Sequence, residues 1–275
     1  MIFFNNCDIR FNGSGLMAEK ISLSSDNSLL PIRPLGKKSQ TSIEPNGAIV
    51  SKLNVSYVVE IGKDIGHFEL NKAKFTTGFE NLTPITVVAA GISGGFYLQS
   101  YKIDIRPNEI VKADASYISY EPLSGQISQK PNSLTYASGF SGLAHFWTTE
   151  IHSDSGKVSM PIFDFSYSFE ANLEPIYVLG RKYPKQILLI SSEEEATITK
   201  DQYKPIDFYG LSGCLELGDC ISNPRIRLYK LEKICNNNTG EYIEINMSGA
   251  SVHSSNLSVD TNDFAKAEIT MRRYN

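Results

Sequence analysis

The sequence predicts a mainly β protein of two tandem copies, each a β-sandwich or partial barrel with at most one short helix. Three observations carry this expectation. The chain matches itself at two places, in the same order. Apolar and polar residues alternate over several short runs, the period of a half-buried strand. Clusters of Gly, Pro, Asn, Asp and Ser separate those runs.

The first self-match sets Pro31-Ile32-Arg33-Pro34-Leu35-Gly36-Lys37-Lys38 against Pro175-Ile176-Tyr177-Val178-Leu179-Gly180-Arg181-Lys182, an offset of 144 (175 − 31). Upstream, the same offset puts Ser22, Ser24 and Leu29 on Ser166, Ser168 and Leu173. The second sets Asn108-Glu109-Ile110-Val111-Lys112-Ala113-Asp114 against Asn262-Asp263-Phe264-Ala265-Lys266-Ala267-Glu268, an offset of 154 (262 − 108). It carries Ile103 and Ile105 onto Leu257 and Val259, and Tyr120 onto Tyr274. The later copy has therefore gained ten residues between the two matches (154 − 144). A repeat decides architecture before any local reading does. The domains are expected at 1–120, including an N-terminal arm, and at 160–275, with a connector over 121–159.

Taken in order, residues 1–16 carry turn chemistry (Asn5-Asn6, Asn12-Gly13-Ser14-Gly15) and read as an arm or loop. Residues 19–25 alternate and read as a strand. Gly36 is placed to take a backbone conformation other residues resist. Asn46-Gly47 is a turn, and residues 49–60 are rich in strand formers. Residues 67–79 form a further strand candidate. Pro84–Gly91 reads as a buried strand or a short helix. Residues 96–106 alternate, Asn108-Glu109 turns, and residues 110–120 close the copy.

The connector is dense in turn residues and holds the single tryptophan, Trp147, beside His145 and Phe146. A connector this long reads as a structured loop that reaches a neighbour. In the second copy Phe163, Phe165, Tyr167 and Phe169 alternate with polar residues, a clear strand. Residues 185–199 read as two strands around Ser191-Ser192-Glu193-Glu194-Glu195, a solvated turn or edge charge. Asn236–Gly240 reads as a turn. Tyr242–Ser248 and Leu257–Tyr274 finish the copy.

The 275 residues are 41% hydrophobic and 20% charged, with a formal net charge of −4. That balance offers no basic footprint for gripping nucleic-acid phosphates. No run approaches the roughly 18 apolar residues that span a bilayer. The opening Met1–Asp8 reads as too short for a signal-peptide core, so synthesis in a cytoplasm is expected, with no membrane insertion.

Catalytic chemistry is not expected. Gly91-Ile92-Ser93-Gly94-Gly95 matches the nucleophile-elbow pattern, but a strand-like run follows where the elbow needs a helix. His253 is the only late histidine to serve Ser93, so a Gly-rich hairpin turn is the better reading. His67, His145, His152 and His253 are scattered without metal-ligand spacing. Cys7, Cys214, Cys220 and Cys235 lack the paired spacing of a zinc site and read as buried thiols, with a disulfide among the last three as the alternative. Asp114 and Asp164 fall on strands of different copies. Lys37-Lys38 and Arg181-Lys182 read as an exposed loop after the Leu-Gly step, or as an inter-subunit salt-bridge site. No cofactor and no metal are expected.

The repeated Pro-Ile-x-x-Leu-Gly-Lys/Arg unit after a serine-rich strand, and the Asn-Asp/Glu-Φ-x-Lys-Ala strand that closes each copy, resemble the tail-tube family of bacteriophage virion proteins. The segment Phe163–Gly180 has the same character, and the resemblance covers about 17–120 and 160–275. It implies a β-sandwich with a flanking helix, and a long loop that docks on the next ring. It implies rings whose inner sheets form a barrel around a channel, in a virion tail. The partners implied are further copies of the chain, tape-measure protein, and sheath, neck or baseplate proteins, with DNA only as passing cargo. Most members carry one such domain and form hexamers. This chain carries two, so a trimer would make a pseudo-hexameric ring. A single-ring hub, neck, terminator or baseplate component is the alternative. A glycan-binding module using Trp147 and surface tyrosines is more distant, and an esterase using Ser93 more distant still.

Overall fold

The computed structural model describes residues 7–26, 29–32, 42–45, 49–59, 82–126, 147–153, 156–159, 162–201, 225–231, 238–258 and 266–274. Among these there is no helix, so no helix is long and apolar enough to cross a membrane. The protein is mainly β, as expected.

In the first half the strands are β1 (Cys7–Phe11), β2 (Ser14–Asp26), β3 (Leu29–Ile32), β4 (Ser42–Pro45), β5 (Val50–Val58), β6 (Ile85–Ala89), β7 (Ile92–Ile105) and β8 (Lys112–Ser119), followed by the short β9 (Ser124–Gly125). All pairings are antiparallel. The hydrogen-bonded path β7–β6–β1–β2–β5–β8 returns to β7, which makes a closed six-strand barrel. Closure pairs edges that would otherwise be open. Alternation fills the inside: Ile9 and Phe11 of β1, Leu53 and Val55 of β5, Val87 of β6, Leu98 of β7 and Tyr117 of β8 are all buried. The Phe11 and Tyr117 rings sit 5.1 Å apart.

Two tight turns close this barrel. Asn12-Gly13 and Ala90-Gly91 join β1 to β2 and β6 to β7, and all four residues have positive φ (47°, 88°, 50° and 86°). That is the type I′ geometry whose twist matches the flanking strands. Asn suits the first position and alanine does not. Ala90→Asn should therefore raise stability by about 0.5–1 kcal/mol, read as a higher denaturant midpoint with an unchanged slope. Of residues 1–16, expected as an arm or loop, the described part from Cys7 onward is a hairpin instead, with Asn12-Gly13 as its turn.

In the second half the strands are β10 (Trp147–Ser153), β11 (Gly156–Ser159), β12 (Ile162–Ile176), β13 (Gln186–Asp201), β14 (Arg225–Leu231), β15 (Asn238–Asn246), β16 (Ser251–Ser258) and β17 (Lys266–Tyr274). The stretch read as a connector thus supplies β9, β10 and β11. Strands β12, β13, β17 and β16 extend the main sheet from β7, while β11, β10, β14 and β15 form a separate four-stranded sheet. Ile226, Leu228, Ile245 and Met247 on or beside that smaller sheet are buried in the same core as Phe165, Tyr167 and Phe169.

Two expectations are corrected here. Glu193-Glu194-Glu195 is no turn: β13 runs unbroken through it. A bulge between the Asn172–Ser191 and Leu173–Leu189 pairs leaves Ile190 as the extra residue, which is 42% exposed. The bulge shifts the alternation by one, so Ser192 and Glu194 turn inward and Glu193 and Glu195 outward. Asn238-Thr239-Gly240 likewise begins β15 rather than a turn. The strand candidate at 67–79, Gly36 with Lys37-Lys38, and Cys214, Cys220 and Cys235 lie outside the described residues.

Strand order recurs along the main sheet. The path β2-β5-β8-β7 is followed by β12-β13-β17-β16. Register recurs with it. Leu29 faces Pro45 and Ile32 faces Ser42; 144 positions later, Leu173 faces Leu189 and Ile176 faces Gln186. Leu98 faces Tyr117 and Ser100 faces Ser116 across a one-residue slip. At 154 positions further on, Val252 faces Met271 and Ser254 faces Thr270 across the same slip.

Candidate assembly surface

The two halves share one sheet. β7 leaves β6 after Phe96 and, past the slip at Gln99, takes β12 as its neighbour. The junction pairs Ser100–Ile105 with Phe165–Glu170. A second tie lies beside it, where the Leu82 amide donates to the Ile187 carbonyl at 3.1 Å.

Strands β5, β8, β7, β12, β13 and β17 bury alternate residues on one face and leave polar residues on the other, and the matching Ile21 and Leu23 of β2 are half-buried. On the polar face, opposed positions form rows that cross both halves. One row runs Lys20, Ser56, Asp114, Lys102, Ser168, Glu195, Arg272. The neighbouring row runs Ser22, Asn54, Ser116, Ser100, Glu170, Glu193, Tyr274. Hydrogen bonds join opposed members within each row. The Ser116 hydroxyl donates to Asn54 Oδ1 at 2.7 Å, the Ser56 hydroxyl donates to Asp114, and Arg272 Nε donates to Glu195 Oε2 at 2.5 Å. Lys102 pairs with Asp104 at 2.9 Å. Exposed pairs of this kind contribute little stability. They do leave the face hydrophilic, with acidic side chains interspersed among bases and, among the described residues, no basic cluster of the kind that retains phosphates.

Among the described residues, Glu194 is the one carboxylate that is fully buried (0% exposed), and it lies opposite Arg273 on β17. Arg273 Nη2 donates to Glu194 Oε1, Arg273 Nη1 donates to the Ser248 carbonyl at 3.1 Å, and the Tyr167 hydroxyl donates to Glu194 Oε2 at 2.7 Å. A carboxylate out of water needs such donors.

At the junction of the halves Tyr97, Tyr120 and Tyr177 gather. The Tyr97 and Tyr120 rings are 6.3 Å apart. Burial, with Glu121 and Tyr120 nearby, pushes the Tyr97 phenol up to about 12, and burial together with Tyr177 raises Tyr120 as well. The stabilisation is complete below about pH 10, where the unfolded phenol is protonated too. It is lost as pH climbs to about 12, because the unfolded chain ionises first. Tyr97 is only about half buried, so solvent screening reduces the loss to the order of 1 kcal/mol. Tyr97→Phe should shrink the fall in melting temperature between pH 9 and 11. An identical fall in both proteins would show that Tyr97 is not the group involved.

The hairpin between β12 and β13 projects an apolar tip. Tyr177, Val178 and Leu179 are 46%, 37% and 104% exposed, and Gly180 takes φ +82° beyond them. Arg181 and Lys182 follow on the surface, in the exposed loop expected after the Leu-Gly step. A fully solvated leucine at a turn flanked by cations has no role in the core.

The remaining sequence candidates separate in space or carry no site. Ser93 lies within β7, and its hydroxyl hydrogen-bonds the Ser124 hydroxyl at 2.8 Å. Its glycines serve close approach. A Cβ on Gly94 would meet Leu123 Cδ2 at 2.6 Å, and one on Gly125 (φ +106°) would meet the Gly91 carbonyl at 2.2 Å. Asp114 lies on β8 and Asp164 on β12, opposite Lys102 and Thr199 respectively. His253 is exposed, with Nε2 3.2 Å from Arg272 Nη1. Trp147 and His152 lie on β10 and Cys7 on β1. His67 and His145 fall outside the described residues. Among the described residues no His, Cys, Asp and Glu cluster could hold a metal ion. Sequence reading missed the buried Glu194–Arg273 pair; the signal was that Glu194 is in phase with the inward Ala196 and Ile198, which the bulge at Ile190 sets out of phase with Ile187 and Leu189.

No protein-family model matches the chain, and no curated protein matches it.

Proposed function

We infer that the chain is a structural virion protein, a duplicated tail-tube-type subunit that assembles head to tail into rings around a DNA-conducting channel. Three subunits with two similar halves each make a pseudo-hexameric ring, and rings stack into a tube. The observation that carries this reading is the recurrence of one four-strand unit, in order and register, along a single sheet. On this reading the halves are two sandwich-like copies split near 120 and 160, joined through 121–159. A unit that already repeats by edge pairing within the chain can repeat between chains, and such a heterologous contact closes into a ring when the rotation closes. The polar face suits a channel lining, because acidic side chains such as Asp104, Asp114, Glu170, Glu193 and Glu195 outnumber the bases around them. The exposed tip at Leu179 suits docking on the next ring, with neighbouring tail proteins at the tube ends.

Imaging of purified protein tests this directly. Rings with a central hole and six similar lobes, stacking as concentration rises, are expected. A chain that sediments as a monomer at every concentration and shows no rings would overturn the reading. Rings that never stack would favour the single-ring hub, neck or terminator.

A further inference from the structure

We propose that the contact between subunits is a copy of the contact between the two halves, with β16 of one chain adding antiparallel to β2 of the next and Leu257 facing Leu23. This deepens the ring-forming reading above and rests on it.

The template is the β7–β12 junction. There Ser100, Tyr101, Lys102, Ile103 and Asp104 face Glu170, Phe169, Ser168, Tyr167 and Ser166. The recurring registers relate β7 to β16 by 154 positions and β12 to β2 by 144. Applied to the junction, these offsets set Ser254, Ser255, Asn256, Leu257 and Ser258 against Asp26, Ser25, Ser24, Leu23 and Ser22. Every pair keeps its face: Lys102 facing Ser168 becomes Asn256 facing Ser24, and Ile103 facing Tyr167 becomes Leu257 facing Leu23.

Three observations say that these edges await a strand. β16 and β2 stand at the two ends of the eight-strand path. Among the described residues, β16 pairs only with β17, and residues 20–26 of β2 pair only with β5. Burial differs as it should. Phe165 and Tyr167, with β7 alongside, are 2% and 0% exposed, whereas the matching Ile21 and Leu23 are only half-buried. The slip that lets β7 leave β6 for β12 is present in β16 at His253, just before the open segment, and bulges of this kind redirect a strand. Ser254–Ser258 also lacks the charge or proline that guards an edge against pairing.

The occupant is a second copy because the template is this chain's own sheet. Adjacent positions in antiparallel strands lie within disulfide reach. In a chain carrying both Ser24→Cys and Asn256→Cys, mild oxidation should give a ladder of covalent oligomers that stops at the ring number, three. The unsubstituted chain, with its own four cysteines, and a slipped Ser22→Cys with Asn256→Cys chain should give no such ladder. Mixing the two single variants should give cross-linked dimers. A ladder from the slipped pair alone overturns the register. A fast-migrating monomer, or rings that image normally yet never cross-link, overturns the edge contact and leaves the ring-forming reading standing. Monomers throughout overturn both. Hydrogen exchange on the unsubstituted chain gives a second reading. Amides of Ser22–Asp26 and Ser254–Ser258 should slow on assembly, and no slowing in either segment overturns the contact.

Discussion

Arg273→Leu should destabilise the protein by about 3–5 kcal/mol, the range seen when one partner of a buried ion pair is removed. Glu194 has no contact with water, and Arg273 is itself mostly covered. Without the guanidinium the buried carboxylate keeps the Tyr167 hydroxyl at 2.7 Å but loses the cation opposite it. The Ser248 carbonyl would also lose its 3.1 Å donor. Replacing both partners, Glu194→Leu with Arg273→Leu, should recover most of the loss, since an apolar pair of similar volume is often neutral or better. Equilibrium denaturation of the two variants decides the matter. A single variant within about 1 kcal/mol of the parent would mean that the pair is already solvated.

Phe169→Ala should cost about 3–5 kcal/mol through lost burial and the cavity left behind. Phe169 is 1% exposed and stands at the junction, facing Tyr101 of β7 on one side and Glu194 of β13 on the other. Its neighbour Tyr167 packs against Tyr101, with ring centroids 6.4 Å apart. Because one sheet and one core run through both halves, a calorimetric scan should show a single transition moving as a whole. A variant that splits into two transitions, with the barrel of β1, β2 and β5 to β8 unmoved, would show that the halves unfold separately.

Much of the strand content was legible because solvent enforces it. The runs at 19–25, 96–106 and 163–169 alternate and 49–60 is rich in strand formers, and each falls largely on a strand whose described inward residues are buried or, in 19–25, half-buried. The ambiguous Pro84–Gly91 resolved to a strand because its alternate residues Ile85, Val87 and Ala89 fill the barrel. Where a bulge resets the phase, the pattern misleads. At Ile190 the reset hid an inward glutamate inside a run that looks solvated. Ser119, 154 positions before Arg273, and Ser51 opposite it are polar and buried too, though served by hydroxyls instead of an ion pair. A sequence shows three adjacent glutamates but not which of them meets Arg273, 79 positions away. The candidate surface was legible only in outline. The repeated Leu-Gly-Lys/Arg loop stood out in the text of the chain, while the open edges did not, because an edge is defined by the absence of a neighbour.

By itself the amino-acid order determined that this is a β protein and that two of its stretches match two others at offsets of 144 and 154. Those properties are local or comparative: side-chain period responds to water on one face, and a repeat needs no coordinates. Only the tertiary structure decided which strands are neighbours. It closed β6 and β1 into a barrel in the first half, placed β14 between β10 and β15 in the second, and carried β7 across to β12. Pairing between distant segments depends on bulges, turn geometry and competing edges together, and none of these is carried by a single residue.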